Sequence, residues 1–88
     1  MFRKRLRGVN MVNKILRMSS VVGHSGKSRS TIYLRVKAGL FVPPVAIGPR
    51  AIGWPEDEVD AINRAHIAGK SDDELRVLVS KLVENRTK

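Results

Sequence analysis

The stretch with the clearest chemical potential lies between residues 25 and 39, where cations and hydroxyls occur without any carboxylate. Guanidinium and ammonium groups bind phosphate oxygens, and hydroxyls can hydrogen-bond to phosphates and base edges. A nearby acid would weaken the positive field, so this composition suits a polyanion such as nucleic acid. The candidate contact residues of this stretch are Lys27, Arg29, Ser30, Thr31, Tyr33, Leu34, Arg35 and Lys37.

Local signals place these residues on one short helix that follows a tight turn. Gly26 and Lys27 suit the turn, since glycine adopts positive φ without strain. Ser28 is a good N-cap, because its hydroxyl can accept from the free N–H groups of the first turn. Gly39 is a good stop, because a left-handed residue closes a helix there. The sequence therefore predicts a helix over residues 28–38.

The helical period divides this helix into a core face and an exposed face. Ile32, Val36 and Leu40 fall on one row that should face the core. Leu34 falls on the exposed side, where it suits a thymine methyl, a sugar or a partner subunit better than plain solvent.

A shorter helix is predicted just before the turn. Residues 14–17 look like an extended lead-in, and Ser19 or Ser20 would cap a helix through Val21 that ends at Gly26. Two short helices joined by a turn of this length indicate a helix-turn-helix. The second helix, over residues 28–38, would then be the recognition helix in the major groove.

The residues after the recognition helix predict a β-hairpin. Two prolines in the segment 41–44 stop any helix. Two short apolar runs follow, at 45–47 and 51–54, on either side of a turn that contains Arg50. A helix-turn-helix followed by a hairpin is a winged helix-turn-helix, and its wing, about residues 45–54, would lie on the backbone or in the adjacent minor groove.

These elements give each candidate residue an expected role. We expect Ser30 and Thr31 to read base edges. Tyr33 can pack its ring while its hydroxyl meets a phosphate, because tyrosine has an apolar body and a polar end. Phosphate or guanine contacts are expected from the cations Lys27, Arg29, Arg35, Lys37 and Arg50.

Two further helices are predicted after the wing. Pro55 suits the first position of a helix that ends at Gly69, and acids follow in its first turn. Ser71 and Glu74 form a capping box at the start of the last helix. Its apolar face either packs on the domain or contacts a second subunit, and residues 85–88 should be frayed. That face consists of Leu75, Leu78, Val79 and Leu82.

Charge is divided unevenly along the 88 residues, which carry a formal net charge of +9. Residues 1–54 contain eleven bases and no acid, whereas the last 34 residues contain six bases and eight acids. A region that carries only positive charge implies a negatively charged partner, and nucleic acid is favoured over an anionic membrane surface. Residues 1–13 form a basic tail that is expected to be disordered or to act as an arm contacting phosphates. The remainder divides into a DNA-binding domain, 14–69, and a C-terminal segment, 70–88.

Several other classes are excluded by what the sequence lacks. It has no cysteine and only two histidines, so neither a disulfide scaffold nor a metal site is expected. Gly26-Lys27-Ser28 resembles the end of a phosphate-binding loop, but Val21 stands where its first glycine belongs. No serine has a base and an orienting partner, so we expect no enzymatic activity and no cofactor. The basic N-terminus is not followed by a signal-peptide core, which favours a cytoplasmic, nucleoid-associated protein.

The order and spacing of several motifs resemble the AlpA family of small phage- and prophage-associated regulators. The motifs are Ser28-Arg-Ser-Thr-Ile-Tyr33, Lys37-Ala-Gly-Leu-Phe41, Pro44-Val45, Ile47-Gly-Pro-Arg50, Ala51-Ile-Gly-Trp54 and Glu58-Val-Asp-Ala61. The resemblance covers about residues 14–83 and implies a winged helix-turn-helix of the MerR and excisionase type, mainly α with a small β-hairpin. It implies DNA-facing positions on the recognition helix and in the wing, which match Arg29, Ser30, Thr31, Tyr33 and Arg50.

The function expected from these features is sequence-specific binding of double-stranded DNA as a transcriptional regulator of the prophage-associated AlpA type. An excisionase that bends DNA for an integrase is the alternative, and either could act as a homodimer or bind cooperatively in tandem. An RNA-binding accessory protein is a more distant alternative, because only four aromatic residues are available for base stacking. A protein-interaction domain would instead use the apolar face of the last helix.

Overall fold

Four helices and three short strands make up residues 14–87, the part of the chain that the computed structural model describes. In chain order the elements are β1 (Ile15–Leu16), α1 (Met18–Ser25), α2 (Arg29–Ala38), β2 (Val45–Gly48), β3 (Ala51–Pro55), α3 (Glu56–Ile67) and α4 (Asp72–Asn85). The predicted winged helix-turn-helix is confirmed, with α1 and α2 as the helix pair and β2 and β3 as the wing. The predicted N-terminal tail, residues 1–13, lies outside the described residues.

Helix α2 begins and ends where local chemistry predicts. The Ser28 hydroxyl accepts from the N–H of Thr31 at 3.3 Å and caps the first turn. Gly39 adopts φ 79° and closes the helix, and Gly26 does the same for α1 with φ 71°. The turn between the helices therefore has the length expected of a helix-turn-helix.

The start of α1 differs from the prediction. Neither Ser19 nor Ser20 caps it, because both lie inside a helix that begins at Met18 after Arg17. The start of the helix is set by a contact that is distant in the sequence, the pairing of Leu16 with Trp54. This pairing keeps the chain extended up to Arg17, and the helix begins directly after it. No side chain caps this helix end.

The predicted hairpin is confirmed and gains a third strand. β1 pairs with β3 on the side opposite β2, which gives an antiparallel sheet in the order β1-β3-β2. Pro55 is not the first helical residue but the last residue of β3 and the N-cap of α3, because it pairs with Ile15. The extended lead-in predicted over residues 14–17 thus becomes the strand that fixes where both α1 and α3 begin.

The core lies between the sheet and the helices. Trp54 is fully buried, and its Nε1–H donates to the carbonyl of Val42 at 3.0 Å, so the polar end of the indole is satisfied. The predicted capping box of Ser71 and Glu74 is present at the start of α4. The apolar face of α4 packs on this core, and therefore serves the domain itself. The other core side chains buried to below 2% exposure are Phe41, Ile32, Ile62, Leu75, Val21, Val42 and Val59.

The prediction of fraying over residues 85–88 is wrong at Arg86, and Lys88 lies outside the described residues. Arg86 follows α4 directly, and its guanidinium forms a salt bridge to Glu58 with an Nη2 to Oε1 distance of 2.6 Å. Glu58 is only 6% exposed, so it is a buried acid with a partner as well as a first-turn residue of α3. Within residues 14–87, no helix is long and apolar enough to cross a membrane.

Candidate nucleic-acid interface

A basic notch lies where the start of α1, the exposed side of α2 and the wing meet. It has a volume of about 320 Å³, and no Asp or Glu lines it. Its lining, which defines the notch, consists of Arg17, Met18, Ser19, Arg29, Tyr33, Arg50 and Ile52. Three arginines from three separate elements thus converge on one concave surface.

Each of these arginines is placed by a different feature of the fold. Arg29 opens α2 and shares a helix face with Tyr33, which lies four residues later and is 45% exposed. Arg50 lies in the turn of the hairpin, between β2 and β3. Arg17 is the N-cap of α1, and its position is fixed because the preceding strand β1 pairs with β3. Of the predicted residues, Arg29, Tyr33 and Arg50 are therefore brought together.

The start of α1 adds to the positive character of the notch. The first N–H groups of a helix have no partner within the helix and carry partial positive charge. No side chain caps α1, and its first residues, Met18 and Ser19, line the notch. Sequence reasoning missed Arg17 and Ser19 as site residues. The signal that could have identified Arg17 is a base directly before a predicted helix.

Beside the notch, the outer face of α2 presents hydroxyl, apolar and cationic groups in one row. This outer face is defined by Ser30, Leu34 and Lys37, which follow each other at intervals of four and three residues. All three are exposed, and Leu34 is 66% exposed. Together with Tyr33 and Val36 they line a shallow surface depression. A leucine this exposed is available for contact with an apolar group of a ligand.

The far flank, opposite Arg29 and Tyr33, consists of Thr31 and Arg35 of α2 together with Lys27 in the turn before it. The hydroxyl of Ser28 donates to that of Thr31 at 2.9 Å, so Thr31 takes part in the helix cap. Burial, followed by the nearby charge of Arg35, lowers the pKa of Lys27. Nε and Nη2 of Arg35 are shielded from solvent and have no hydrogen-bond partner in the described part of the chain.

The predicted site residues therefore fall into three groups. The notch holds Arg29, Tyr33 and Arg50, the outer face holds Ser30, Leu34 and Lys37, and the far flank holds Lys27, Thr31 and Arg35. The first two groups are exposed and adjacent, whereas the far flank is partly buried. Across residues 14–87, no cluster of three or more His, Asp or Glu side chains is arranged to hold a metal ion.

Comparison with known proteins places the chain in a family. No solved structure matches it. An uncharacterized protein, ORF88 of Enterobacteria phage P4, is 39% identical over 57 residues, a match that spans 65% of each of the two chains. The family model described as prophage CP4-57 regulatory protein (AlpA) matches residues 14–65, which include β1, the helix-turn-helix, the wing and most of α3. This protein belongs to the AlpA family of phage regulatory proteins.

Proposed function

We propose that this protein binds double-stranded DNA sequence-specifically and regulates transcription of phage or prophage genes. The observation that carries the proposal is the convergence of Arg17, Arg29 and Arg50 on a notch without carboxylates, beside the exposed face of α2. One surface then combines groups suited to a phosphate backbone with groups suited to base edges. Membership of a regulatory family supports the same role.

In this proposal α2 lies in the major groove and the wing lies over the adjacent backbone or minor groove. The arginines of the notch and the Tyr33 hydroxyl bind phosphates, assisted by the first amides of α1. The outer face meets the bases: Ser30 donates to or accepts from base edges, and Leu34 contacts a thymine methyl. Lys37 contacts a guanine or a phosphate at the C-terminal end of α2.

The far flank makes the remaining proposed contacts. Lys27 and Arg35 bind backbone phosphates at the side of α2 away from the wing. Burial has removed solvation from Lys27, which makes an incoming anion favourable there. Arg35 has two shielded nitrogens without a partner among the described residues, and its side chain would turn outward to meet a phosphate. Thr31 reads a base edge while its hydroxyl also serves the Ser28 cap.

The dependence of duplex affinity on salt tests the proposal. With about five phosphate contacts, log K should fall against log salt with a slope of about −4 to −5. Single-stranded DNA and double-stranded RNA of the same sequence serve as controls and should bind more weakly. A flat salt response would refute DNA binding by this surface, and tighter binding to RNA would indicate an RNA-binding protein.

Transcriptional regulation and excision make different demands on the bound DNA. An excisionase must bend its site for an integrase, whereas a regulator needs only to occupy it. Duplexes carrying a selected site at different positions along a fixed length distinguish the two in a mobility assay. We expect mobility of the complex to be independent of position. A strong dependence on position would show that the protein bends its site, as the excisionase role requires, and would count against a regulator that only occupies it.

A further inference from the structure

Helix α4 and its C-cap residue Arg86 together hold both ends of the connection between α2 and the wing. Arg76 donates from Nε to the carbonyl of Ala38, the last residue of α2, at 3.1 Å. Arg86 donates from Nη2 to the carbonyl of Pro43, two residues before β2, at 2.7 Å. The segment between these carbonyls is the covalent connection from α2 to the wing, and it is contacted at one end by Arg76 of α4 and at the other by Arg86 directly after α4.

The contact at Pro43 is made by a guanidinium whose direction is fixed. Arg86 Nε donates to both carboxylate oxygens of Glu58, at 3.2 and 3.0 Å, while Nη2 donates to Oε1 at 2.6 Å. Both side chains are shielded, with 20% of Arg86 and 8% of Glu58 exposed. Nε and Nη2 together hold the carboxylate and so fix the plane of the guanidinium, while Nη2 also donates to the Pro43 carbonyl. A lysine ammonium has a single nitrogen and would lose this two-point hold on Glu58, which fixes the direction of the donor.

The contact at Ala38 is more open but has a similar form. The aliphatic part of Arg76 lies over Gly39, with Cγ 3.7 Å from the position that a Cβ would take. Its charge stands at the C-terminal end of α2, where carbonyls lack partners within the helix and favour a cation. Arg76 therefore ties the end of the recognition helix to the first half of α4.

We propose that α4 is a brace that sets the position of the wing relative to the recognition helix, with Arg86 as its main positioning residue. The inference rests on the proposed function, because the two braced elements are those proposed to contact DNA. α4 lies beyond residues 14–65, the region that matches the family model. The brace acts without touching DNA, because it holds Arg50 in its position in the notch. A wing that is already held in place loses less conformational entropy on binding, so binding is more favourable.

The decisive experiment compares Arg86→Lys with Arg64→Lys on the exposed surface of α3, a control with the same chemical change. Duplex affinity is measured for each variant in the wild-type background and in the Arg50→Ala background, after thermal unfolding confirms that every protein is folded. Arg86→Lys should weaken binding about fivefold in the wild-type background and less than about twofold in the Arg50→Ala background, since it acts through the wing. Arg64→Lys should change neither.

The opposite results would overturn the brace. An equal loss in both backgrounds would mean that Arg86 acts through general stability, and no loss in a folded variant would mean that the guanidinium fixed by Glu58 has no role in positioning the wing. Arg76→Ala, compared with Lys81→Ala on the same helix, should show the same dependence on Arg50 with about half the effect in free energy. Additivity of Arg76→Ala with Arg50→Ala would restrict the brace to Arg86.

A measurement without DNA separates failure of the brace from failure of the proposed function. Amide hydrogen exchange of β2 and β3 should be about tenfold faster in Arg86→Lys than in Arg64→Lys, with exchange in α1 unchanged. If the wild-type protein bound no duplex but this difference appeared, the brace would stand and the DNA-binding proposal would fall. Unchanged exchange in the wing would refute the brace whatever the affinity for DNA.

Discussion

The two flanks of the recognition helix both carry cations, but the fold treats them differently. In the notch, Arg29 is exposed and is joined by Arg17 and Arg50 from other elements. On the far flank, Lys27 and Arg35 are partly buried, and two guanidinium nitrogens of Arg35 have no partner among residues 14–87. Both flanks therefore carry cations, but only the cations of the notch are exposed to solvent. If the protein binds DNA as proposed, we expect the notch to supply most of the affinity and the far flank to carry a cost in stability.

The largest effect should come from removing the notch cations. We expect the double variant Arg29→Ala/Arg50→Ala to lose about 100-fold in duplex affinity, since each change removes a charge-assisted contact. The slope of log K against log salt should decrease by about 2. The control, Arg64→Ala/Lys81→Ala, removes the same charge from α3 and α4 and should lose far less. Similar losses for both pairs would show that net charge alone drives binding.

The second prediction concerns stability on the far flank. Replacing Arg35 by methionine keeps an unbranched side chain while removing the unsatisfied nitrogens, so the free energy of unfolding should rise by about 1 kcal/mol. Duplex affinity should fall only about threefold, less than for either notch arginine alone. Urea unfolding and DNA titration measure the two effects. A loss of stability would mean that Arg35 has an unrecognised partner, and a large loss of affinity would make the far flank equal to the notch.

The outer face of α2, between the two flanks, should show its effect in sequence preference. Leu34→Ala should weaken binding to a selected site about threefold, as expected for loss of an apolar contact with one methyl group. Replacing the contacted thymine by deoxyuridine should produce a similar loss in the wild-type protein and none in the variant. Additive losses from the two changes would place Leu34 away from the thymine methyl.

The smallest expected effect is a pH dependence on the far flank. Because the pKa of Lys27 is lowered in the folded protein, the unfolded chain binds more protons in the pH range between the two pKa values. The charged form of Lys27 therefore costs stability at neutral pH, and this cost disappears as the pH rises to about 10.5. Wild-type stability should consequently rise relative to Lys27→Met over this range, as measured by urea unfolding. A difference that is constant with pH would contradict the burial of Lys27.

Features set by neighbouring residues were predictable from the sequence, and features set by distant contacts were not. Ser28 and Gly39 bound α2 because caps involve only the adjacent turn. The start of α1 was predicted too late in the chain, because it depends on the pairing of Leu16 with Trp54 across 38 positions. An acid in the first turn of a helix, such as Glu58, is explained by the helix dipole alone. The sequence therefore gives no reason to expect its salt bridge to Arg86, which lies 28 residues later.

The candidate site shows the same division. Composition and helical period identified the cations and the outer face of α2, but they gave no means of ranking the cations by exposure. Whether Arg29 or Arg35 faces open solvent depends on which distant parts of the chain pack beside α2, and the sequence does not specify them. Arg17 lies in the notch because β1 pairs with β3. Arg86 contacts Pro43 because α4 packs on the core. These contacts join elements that are far apart in the chain.

The hydrogen bond between Trp54 and Val42 has a practical consequence. Trp54 is the single tryptophan of the protein, and its indole is anchored to the segment that leads into the wing. Its intrinsic fluorescence therefore provides an unlabelled optical signal from the joint between the recognition helix and the hairpin. Because the ring is fully buried, its emission should lie at short wavelength in the intact protein and shift to the red when water reaches that joint.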